Sequence, residues 1–151
     1  MRLLLGALVA LACAPAALAH TDAGRQLEFA WPAQGTVTSP FGRDGYRWHS
    51  GLDIGMLRGL DVTAAAPGRV EAVGVQAGYE GYGNVVLVDV GWGFETLYAH
   101  LAAAAVRQGD LVVTGQHLGT AGCTGWCTGT HLHFELRYRG RALDPMPLMV
   151  G

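Results

Sequence analysis

From Trp31 onward, glycine divides this chain into short runs that are either apolar or alternate apolar and polar residues. The clearest of them are GTVTSPFG, LDIG, GRVEAVGV, GNVVLVDVG, FETLYAHL, DLVVTGQHLG and HLHFELRYRG. Alternation with a period of two indicates a β-strand, and glycine at the end of a run favours a turn. With 23 glycines in 151 residues, the pattern predicts a mainly β domain.

Only one short helical element is predicted. Residues 102–107 are rich in alanine, which favours helix, but Gly109 follows almost at once. We therefore expect a helical turn that connects two strands.

The composition favours a single domain that does not bind nucleic acid. Of the 151 residues, 50% are hydrophobic and 15% are charged, which is typical of one compact domain. The net charge is −2, and no basic run is present to bind phosphates. Nucleic acid is therefore excluded as an expected partner.

Residues 1–19 have the layout of a cleavable signal peptide. Arg2 precedes an apolar run, and the small-residue sequence ALA stands directly before His20. This order of a basic, an apolar and a small-residue region is typical of export signals. We expect cleavage after Ala19 and a periplasmic or secreted protein.

Residues 20–30 lack periodicity and are predicted to form a lead-in to one domain over residues 31–151. Lipid anchoring at Cys13 is a less favoured alternative, because the residues before it are a poor lipidation signal. Pro15 interrupts the apolar run well before the length of a membrane span, so no integral membrane segment is expected after cleavage.

Removal of the leader leaves two cysteines, Cys123 and Cys127. An even pair in an oxidising compartment predicts a disulfide, which would stabilise this short loop by about 2 kcal/mol. The alternative is a structural zinc site that adds His131 and His133. Its histidine spacing is too short for such a site, so it is disfavoured.

The segment HLHFEL, residues 131–136, predicts a strand with two different faces. His131, His133 and Glu135 share one face, and the apolar residues between them share the buried one. The two histidines then lie either on a solvated sheet face or in a metal site.

Upstream, the segment RWHSGLDIG places His49 and Asp53 four residues apart beside glycines that oppose a helix. A catalytic zinc site needs three nitrogen or oxygen ligands and one open position, and this pair with a histidine from residues 131–133 would supply it. Spacing leaves open which histidine that is. For His100, the pattern alone favours a half-buried histidine bonded to the backbone.

Together, these segments resemble the lysostaphin-like, or LytM-type, zinc metallopeptidases that cut peptidoglycan peptides. The resemblance covers almost all of the chain after the leader. It depends on the combination of H-x3-D in RWHSGLDIG, Y-A-H-L in FETLYAHL and H-L-H-F-E in THLHFELRYRG. Each motif alone is weak, but their order along the chain is specific.

The resemblance implies a role for each of the five residues. His49, Asp53 and His133 would bind Zn²⁺, and His131 and His100 would be the catalytic pair. The interpretation of His100 thus changes through the family and not through its spacing.

The resemblance also implies a compact antiparallel β-sheet or sandwich with a substrate groove over the zinc. Glu135 lies on the same strand face as the histidines, where it would either orient one imidazole or cap a buried polar contact. Aromatic residues in the predicted loops would wall the groove: Trp48, Tyr79, Tyr82, Trp92 and Trp126.

The function implied is that of an exported zinc metalloendopeptidase acting on peptidoglycan peptide cross-links. The sequence does not separate a Gly-Gly bridge from a D-alanyl-diaminopimelate cross-link. Two alternatives are a non-catalytic LytM-type activator of a wall amidase and a secreted protease acting on glycine-rich proteins. We expect a monomer, with a wall amidase or an inhibitor as the candidate protein partner.

Overall fold

The computed structural model describes residues 27–45 and 47–151. The predicted signal peptide, Cys13 and residues 20–26 lie outside this part of the chain. Within it, no helix has both the length and the apolar character that a membrane span requires.

The described residues form fifteen β-strands and two single-turn 3₁₀ helices, with no α-helix among them. The strands are β1 (Phe29–Ala30), β2 (Thr36–Ser39), β3 (Gly42–Asp44), β4 (Arg47–His49), β5 (Leu52–Gly55), β6 (Asp61–Thr63), β7 (Gly68–Gly74), β8 (Val85–Gly91), β9 (Phe94–Ala99), β10 (Leu101–Ala104), β11 (Leu111–Val112), β12 (His117–Ala121), β13 (Leu132–Tyr138), β14 (Arg141–Leu143) and β15 (Met149–Val150). The 3₁₀ helices span Glu80–Tyr82 and Met146–Leu148.

Most strands belong to one large antiparallel sheet. Its order is β11-β7-β8-β9-β13-β5-β2, and β14 pairs with the far end of β13. A second sheet has the order β10-β12-β6, and β3 and β4 form a separate hairpin. The mainly β, antiparallel fold expected from the sequence is confirmed.

The two larger sheets enclose a common core, which makes the domain a sandwich. Ile54, Val88 and Phe134 of the large sheet pack in one cluster with Val62 and Leu118 of the small sheet. Burying such side chains stabilises the fold by about 1.5–3 kcal/mol each. The predicted apolar face of β13 accordingly lies inside the domain.

The opposite face of β13 is buried as well, so the first of the two expectations for its histidines, a solvated sheet face, is wrong. His133 is 5% exposed and Glu135 is fully buried. The reason is that β13 is an interior strand, flanked by β9 and β5, and loops cover its polar side.

The helical turn predicted at residues 102–107 is wrong. Leu101–Ala104 forms β10 and pairs with β12, where Ala104 lies opposite Gly119. A side chain at position 119 would collide with the Ala103 carbonyl, so glycine permits the close approach of these strands. Cross-strand pairing thus outweighs the helix propensity of alanine.

The last residues of the predicted lead-in belong to the domain. Phe29 is 1% exposed in the core, and β1 pairs in parallel with β15. A two-residue strand has too few residues to show periodicity, which explains why the sequence did not indicate it.

Candidate metal centre

Three side chains from three strands converge at one edge of the polar face of β13. His49 ends β4, Asp53 lies in β5, and His133 lies in β13. Asp53 and His133 are paired directly across the two antiparallel strands, so their side chains project to the same side.

The donor atoms of these side chains lie close enough to share one ion. His49 Nε2 is 3.1 Å from both Asp53 Oδ1 and His133 Nδ1, and the last two atoms are 2.8 Å apart. In a tetrahedral zinc site with bonds of about 2.0–2.1 Å, neighbouring ligand atoms are separated by about 3.3 Å. Two imidazole nitrogens and one carboxylate oxygen therefore fit a zinc-type site in both size and chemistry.

Hydrogen bonds on the far side of each imidazole direct the correct nitrogen toward the centre. His49 Nδ1 donates to the Pro40 carbonyl oxygen at 2.8 Å, which leaves Nε2 to face Asp53. His133 Nε2 donates to Glu135 Oε1 at 3.0 Å, which leaves Nδ1 to face Asp53. Such outer bonds are the usual means of orienting metal-binding histidines.

The electrostatics of the cluster also favour a cation. Burial alone would raise the pKa of Asp53, but hydrogen bonds from His133 and His49 outweigh it and hold the pKa well below its usual range. The hydrogen bond to Asp53 in turn raises the pKa of His49. The carboxylate therefore attracts positive charge to this point, and a divalent cation would replace the protons that the imidazoles share with it.

Glu135 forms a hydrogen bond with the His133 imidazole on the side that faces away from the other two donors. Its Oε1 accepts hydrogen bonds from Ser50 Oγ at 2.5 Å and from Tyr82 OH at 2.6 Å in addition to His133. Its Oε2 accepts one from Arg137 Nε at 2.6 Å. Ser50 and Arg137 were not singled out from the sequence, although Arg137 follows Glu135 at the same-face spacing of two.

His100 and His131 lie beside the three donors without belonging to that group. Their ring centroids are 4.7 Å apart, and His131 Nε2 is 3.7 Å from Asp53 Oδ1. His100 Nδ1 donates to the Thr124 carbonyl at 2.8 Å, and His131 Nδ1 donates to the Gly129 carbonyl at 2.7 Å. In each histidine this leaves Nε2 as the atom that can accept or return a proton.

His100 is 7% exposed and bonded to the backbone, which agrees with the interpretation from its local pattern. Burial lowers its pKa, and the Thr124 hydrogen bond opposes this only in part. A neutral imidazole at this position is suited to act as a base.

The cluster opens into a cleft of about 810 Å³. Four of the five aromatic residues predicted to wall a groove line it: Trp48, Tyr79, Tyr82 and Trp126. Trp92 does not, because it lies in the turn between β8 and β9 and is 78% exposed there. The expectation for Trp92 is therefore wrong, since a turn position in the sequence does not indicate which end of the sheet it occupies.

The predicted disulfide between Cys123 and Cys127 is present, with a Cα–Cα distance of 5.3 Å. The disfavoured structural zinc site is thereby excluded, because disulfide sulfurs are not thiolate ligands.

A family model decides how this arrangement relates to known proteins. The model described as Peptidase family M23 matches residues 47–145, a span that contains all five residues discussed above. The chain belongs to peptidase family M23. The resemblance to lysostaphin-like and LytM-type peptidases is thus confirmed.

Curated relatives of the M23 chain include both peptidases and an activator. It is 39% identical over 116 residues to the DD-carboxypeptidase/endopeptidase Mpg of Neisseria meningitidis, covering 73% of this chain and 26% of that protein. It is 35% identical over 116 residues to the murein hydrolase activator NlpD of Escherichia coli, covering 77% and 30%. The M23 chain spans about a quarter of the length of the first curated relatives that it matches.

Solved structures agree with the M23 assignment. A zinc-containing peptidase from Vibrio cholerae is 32% identical with a TM-score of 0.68, over 80% of this chain and 39% of that one. The catalytic domain of lysostaphin from Staphylococcus simulans is 31% identical with a TM-score of 0.61, over 80% and 90%. The M23 chain therefore shares its fold with metallopeptidases, and its His49, Asp53 and His133 could hold a metal ion.

Proposed function

We propose that this M23 domain is a zinc metalloendopeptidase that hydrolyses peptide cross-links of peptidoglycan outside the cytoplasm. The observation that carries the proposal is the convergence of five side chains on one cleft. Three of them present donor atoms to a common point, and two neighbouring histidines keep Nε2 available for proton transfer.

We assign Zn²⁺ to His49 Nε2, Asp53 Oδ1 and His133 Nδ1. When bound, zinc supplies a Lewis acid that polarises a peptide carbonyl and lowers the pKa of water to about 7. Glu135 keeps the His133 imidazole in the orientation that presents Nδ1, and the Pro40 carbonyl does the same for His49 Nε2.

We assign proton transfer to His100 and His131. Because a backbone carbonyl accepts a hydrogen bond from each Nδ1, each neutral ring has an unprotonated Nε2. One ring accepts the proton of the attacking water at Nε2. A ring that carries the proton there can donate a hydrogen bond to the oxyanion and return the proton to the leaving amine.

The side chains that line the cleft support a peptide substrate. Trp48 and Trp126, which are 67% and 82% exposed, line it together with the donors, and glycines 78 and 81 form part of its wall. Exposed aromatic side chains in a cleft are suited to contact with a peptide chain. The relatives named for peptidoglycan chemistry favour a cell-wall peptide as that substrate.

The second candidate is a non-catalytic activator of a wall amidase. The relationship to NlpD, a murein hydrolase activator, favours it. The presence of all three donors and both histidines favours the enzyme, since an activator has no need for a polarised carbonyl or for proton transfer.

Digestion of purified peptidoglycan sacculi by the zinc-loaded protein tests the proposal. Wild-type protein should release peptide fragments, and His131→Ala or His100→Ala should lower the rate by about 10²- to 10⁴-fold while about one zinc per chain is retained. His49→Ala should lose both zinc and activity. Mass spectrometry of the new termini identifies the bond that is cut, and metal analysis gives the zinc content.

Three outcomes would contradict the assignment. Zinc loss on changing His131 would make that residue a ligand. Protein that carries zinc and binds an amidase but never releases peptide would support the activator. Faster cleavage of a glycine-rich protein than of sacculi, measured in parallel, would identify a secreted protease acting on proteins.

A further inference from the structure

The two histidines assigned to proton transfer are both bonded to one small segment of backbone. We propose that the loop closed by Cys123 and Cys127, the disulfide loop, is a positioning device that sets the orientation of His100 and His131. This inference rests on the function proposed above. It adds a positioning role for residues that bind neither metal nor the reacting atoms.

His100 depends on the disulfide loop at both side chain and backbone. Its Nδ1 donates to the carbonyl of Thr124, which lies inside the loop, and the Thr124 amide lies 3.5 Å from the His100 carbonyl oxygen. His100 also has a φ of +61°, a conformation that non-glycine residues rarely adopt without outside support. The contact with Thr124 supplies part of that support.

The disulfide loop is itself fixed against residues 81–84, at the end of the first 3₁₀ helix. The Trp126 amide donates to the Gly81 carbonyl at 2.8 Å, and the Thr124 hydroxyl accepts from the Asn84 amide at 2.9 Å. Gly125 has a φ of +72°, and a side chain there would collide with the backbone of Gly83. The carbonyl that holds His100 therefore has a defined position only while the loop keeps this shape.

His131 is held where the chain leaves the disulfide loop. Its Nδ1 donates to the carbonyl of Gly129, two residues after Cys127, and the Cys127 sulfur lies 3.8 Å from the same nitrogen. The His131 amide donates to Gly122, the residue before Cys123. The disulfide thus joins Cys123, which follows Gly122, to Cys127, which lies two residues before Gly129.

The contacts of the disulfide loop indicate that it positions the two histidines and is not part of the hydrophobic core. Cys123 and Trp126 are exposed. Within residues 27–45 and 47–151, the part of the chain that the structure describes, the hydrophobic core contains no residue of the disulfide loop. The outer partners of the proposed zinc ligands, the Pro40 carbonyl and Glu135, also lie elsewhere. Opening the loop should therefore change the two histidines and leave the fold and the zinc ligands intact.

The test compares the zinc-loaded wild type with a Cys123→Ser/Cys127→Ser variant. We expect kcat on sacculi to fall at least about tenfold, because misplaced catalytic groups lose the benefit of orientation. Zinc content and the concentration of chelator that removes half of the zinc should change little, and the melting temperature should fall only by about 5–10 °C, the loss expected on opening so short a loop. A phosphine reductant, which opens the disulfide without supplying thiolates that bind zinc, should reproduce the loss of kcat in wild type; reoxidation should reverse the loss, and the serine variant should not respond.

A second readout does not depend on turnover. Two-bond ¹H–¹⁵N correlation spectra at one fixed pH identify the protonated nitrogen of each histidine. We expect the Nδ1–H form for His100 and His131 in the oxidised protein and a mixture of forms once the disulfide is opened. His49, held by Pro40, serves as the internal control and should not change.

Unchanged kcat together with unchanged histidine spectra after opening the disulfide would overturn the inference. Loss of zinc would also overturn it, because the loop would then support the metal ligands. If the wild type has no peptidase activity, the proposed function fails, and the spectra alone decide whether the loop orients the histidines. If the serine variant does not fold, reduction of folded wild-type protein gives the same comparison.

Discussion

Glu135 is a fully buried carboxylate that connects the proposed zinc ligand His133 to the interior of the domain. Burial alone would raise its pKa, but hydrogen bonds from His133, Ser50 and Tyr82, with the charge of Arg137, lower the pKa to about 2. The side chain is therefore ionised at neutral pH and accepts from four donors. A neutral amide of the same shape could not accept from all of them.

At the residue scale, we expect Glu135→Gln to weaken zinc affinity by about 10- to 100-fold, as is typical when the partner of a metal-binding histidine is lost. The amide would also leave the Arg137 guanidinium without its counter-charge. Competition with a chromogenic chelator measures the affinity. Glu28→Gln, at an exposed position, is the matched control and should leave it unchanged; equal affinity for both variants would contradict the role of Glu135.

The residue types in the candidate site could be predicted from the sequence, but their contacts could not. Alternation along residues 131–136 predicted that His131, His133 and Glu135 share a face. It did not show that this face is covered, because the cover comes from Ser50 and Tyr82, which are distant in the chain. Which of the two strand histidines faces Asp53 likewise depends on the pairing of β5 with β13.

At the element scale, Gly51 allows β5 to lie close to β13. The residue is buried, and a methyl group there would collide with the Phe134 carbonyl and lie 2.8 Å from Glu135 Cγ. The direct pairing of Asp53 with His133 follows within two residues of this contact. The glycine of RWHSGLDIG therefore has a packing reason as well as a turn role.

Gly51→Ala should lower the free energy of unfolding by about 1–3 kcal/mol, the usual cost of forcing extra volume into a packed site. Gly59→Ala is the matched control, because a methyl group at that position would have no atom within 4 Å and the φ of Gly59 is not positive. It should be neutral or stabilising by less than about 1 kcal/mol. Urea unfolding of both variants measures the difference, and equal stabilities would exclude a tight contact at Gly51.

Strand segments could be predicted where an apolar or alternating run is long, as in β8 and β13. The short β1 and the alanine-rich β10 could not, because their conformation depends on the partners β15 and β12 and not on their own residues. Local patterns thus predict elements that would form in many folds, and they miss elements that form only through pairing.

At the scale of the whole molecule, Tyr98 connects the two sheets. It is fully buried in β9, and its hydroxyl oxygen accepts a hydrogen bond from the Ala65 amide, just after β6, at 2.8 Å. Burial raises the pKa of Tyr98 to about 12, although the Ala65 hydrogen bond opposes the rise. The folded protein therefore retains this proton at pH values where the unfolded chain loses it.

Stability should consequently fall as the pH rises from about 10 to about 12, by about 3 kcal/mol in total from this group. Tyr98→Phe should remove that part of the slope. At neutral pH the same variant should lose about 1–3 kcal/mol, because the Ala65 amide is left without an acceptor. Urea unfolding across this pH range measures both effects, and an unchanged slope in the variant would contradict the assignment.

The parallel pairing of β1 with β15 has a mechanical consequence. Phe29 and Met149 are paired, and the two strands run in the same direction, so tension that pulls β1 backward and β15 forward acts along the strands. Such a load stretches the bonds between them together and not one after another. If the chain is pulled from both sides of the domain, the short β1–β15 pair is therefore loaded in shear.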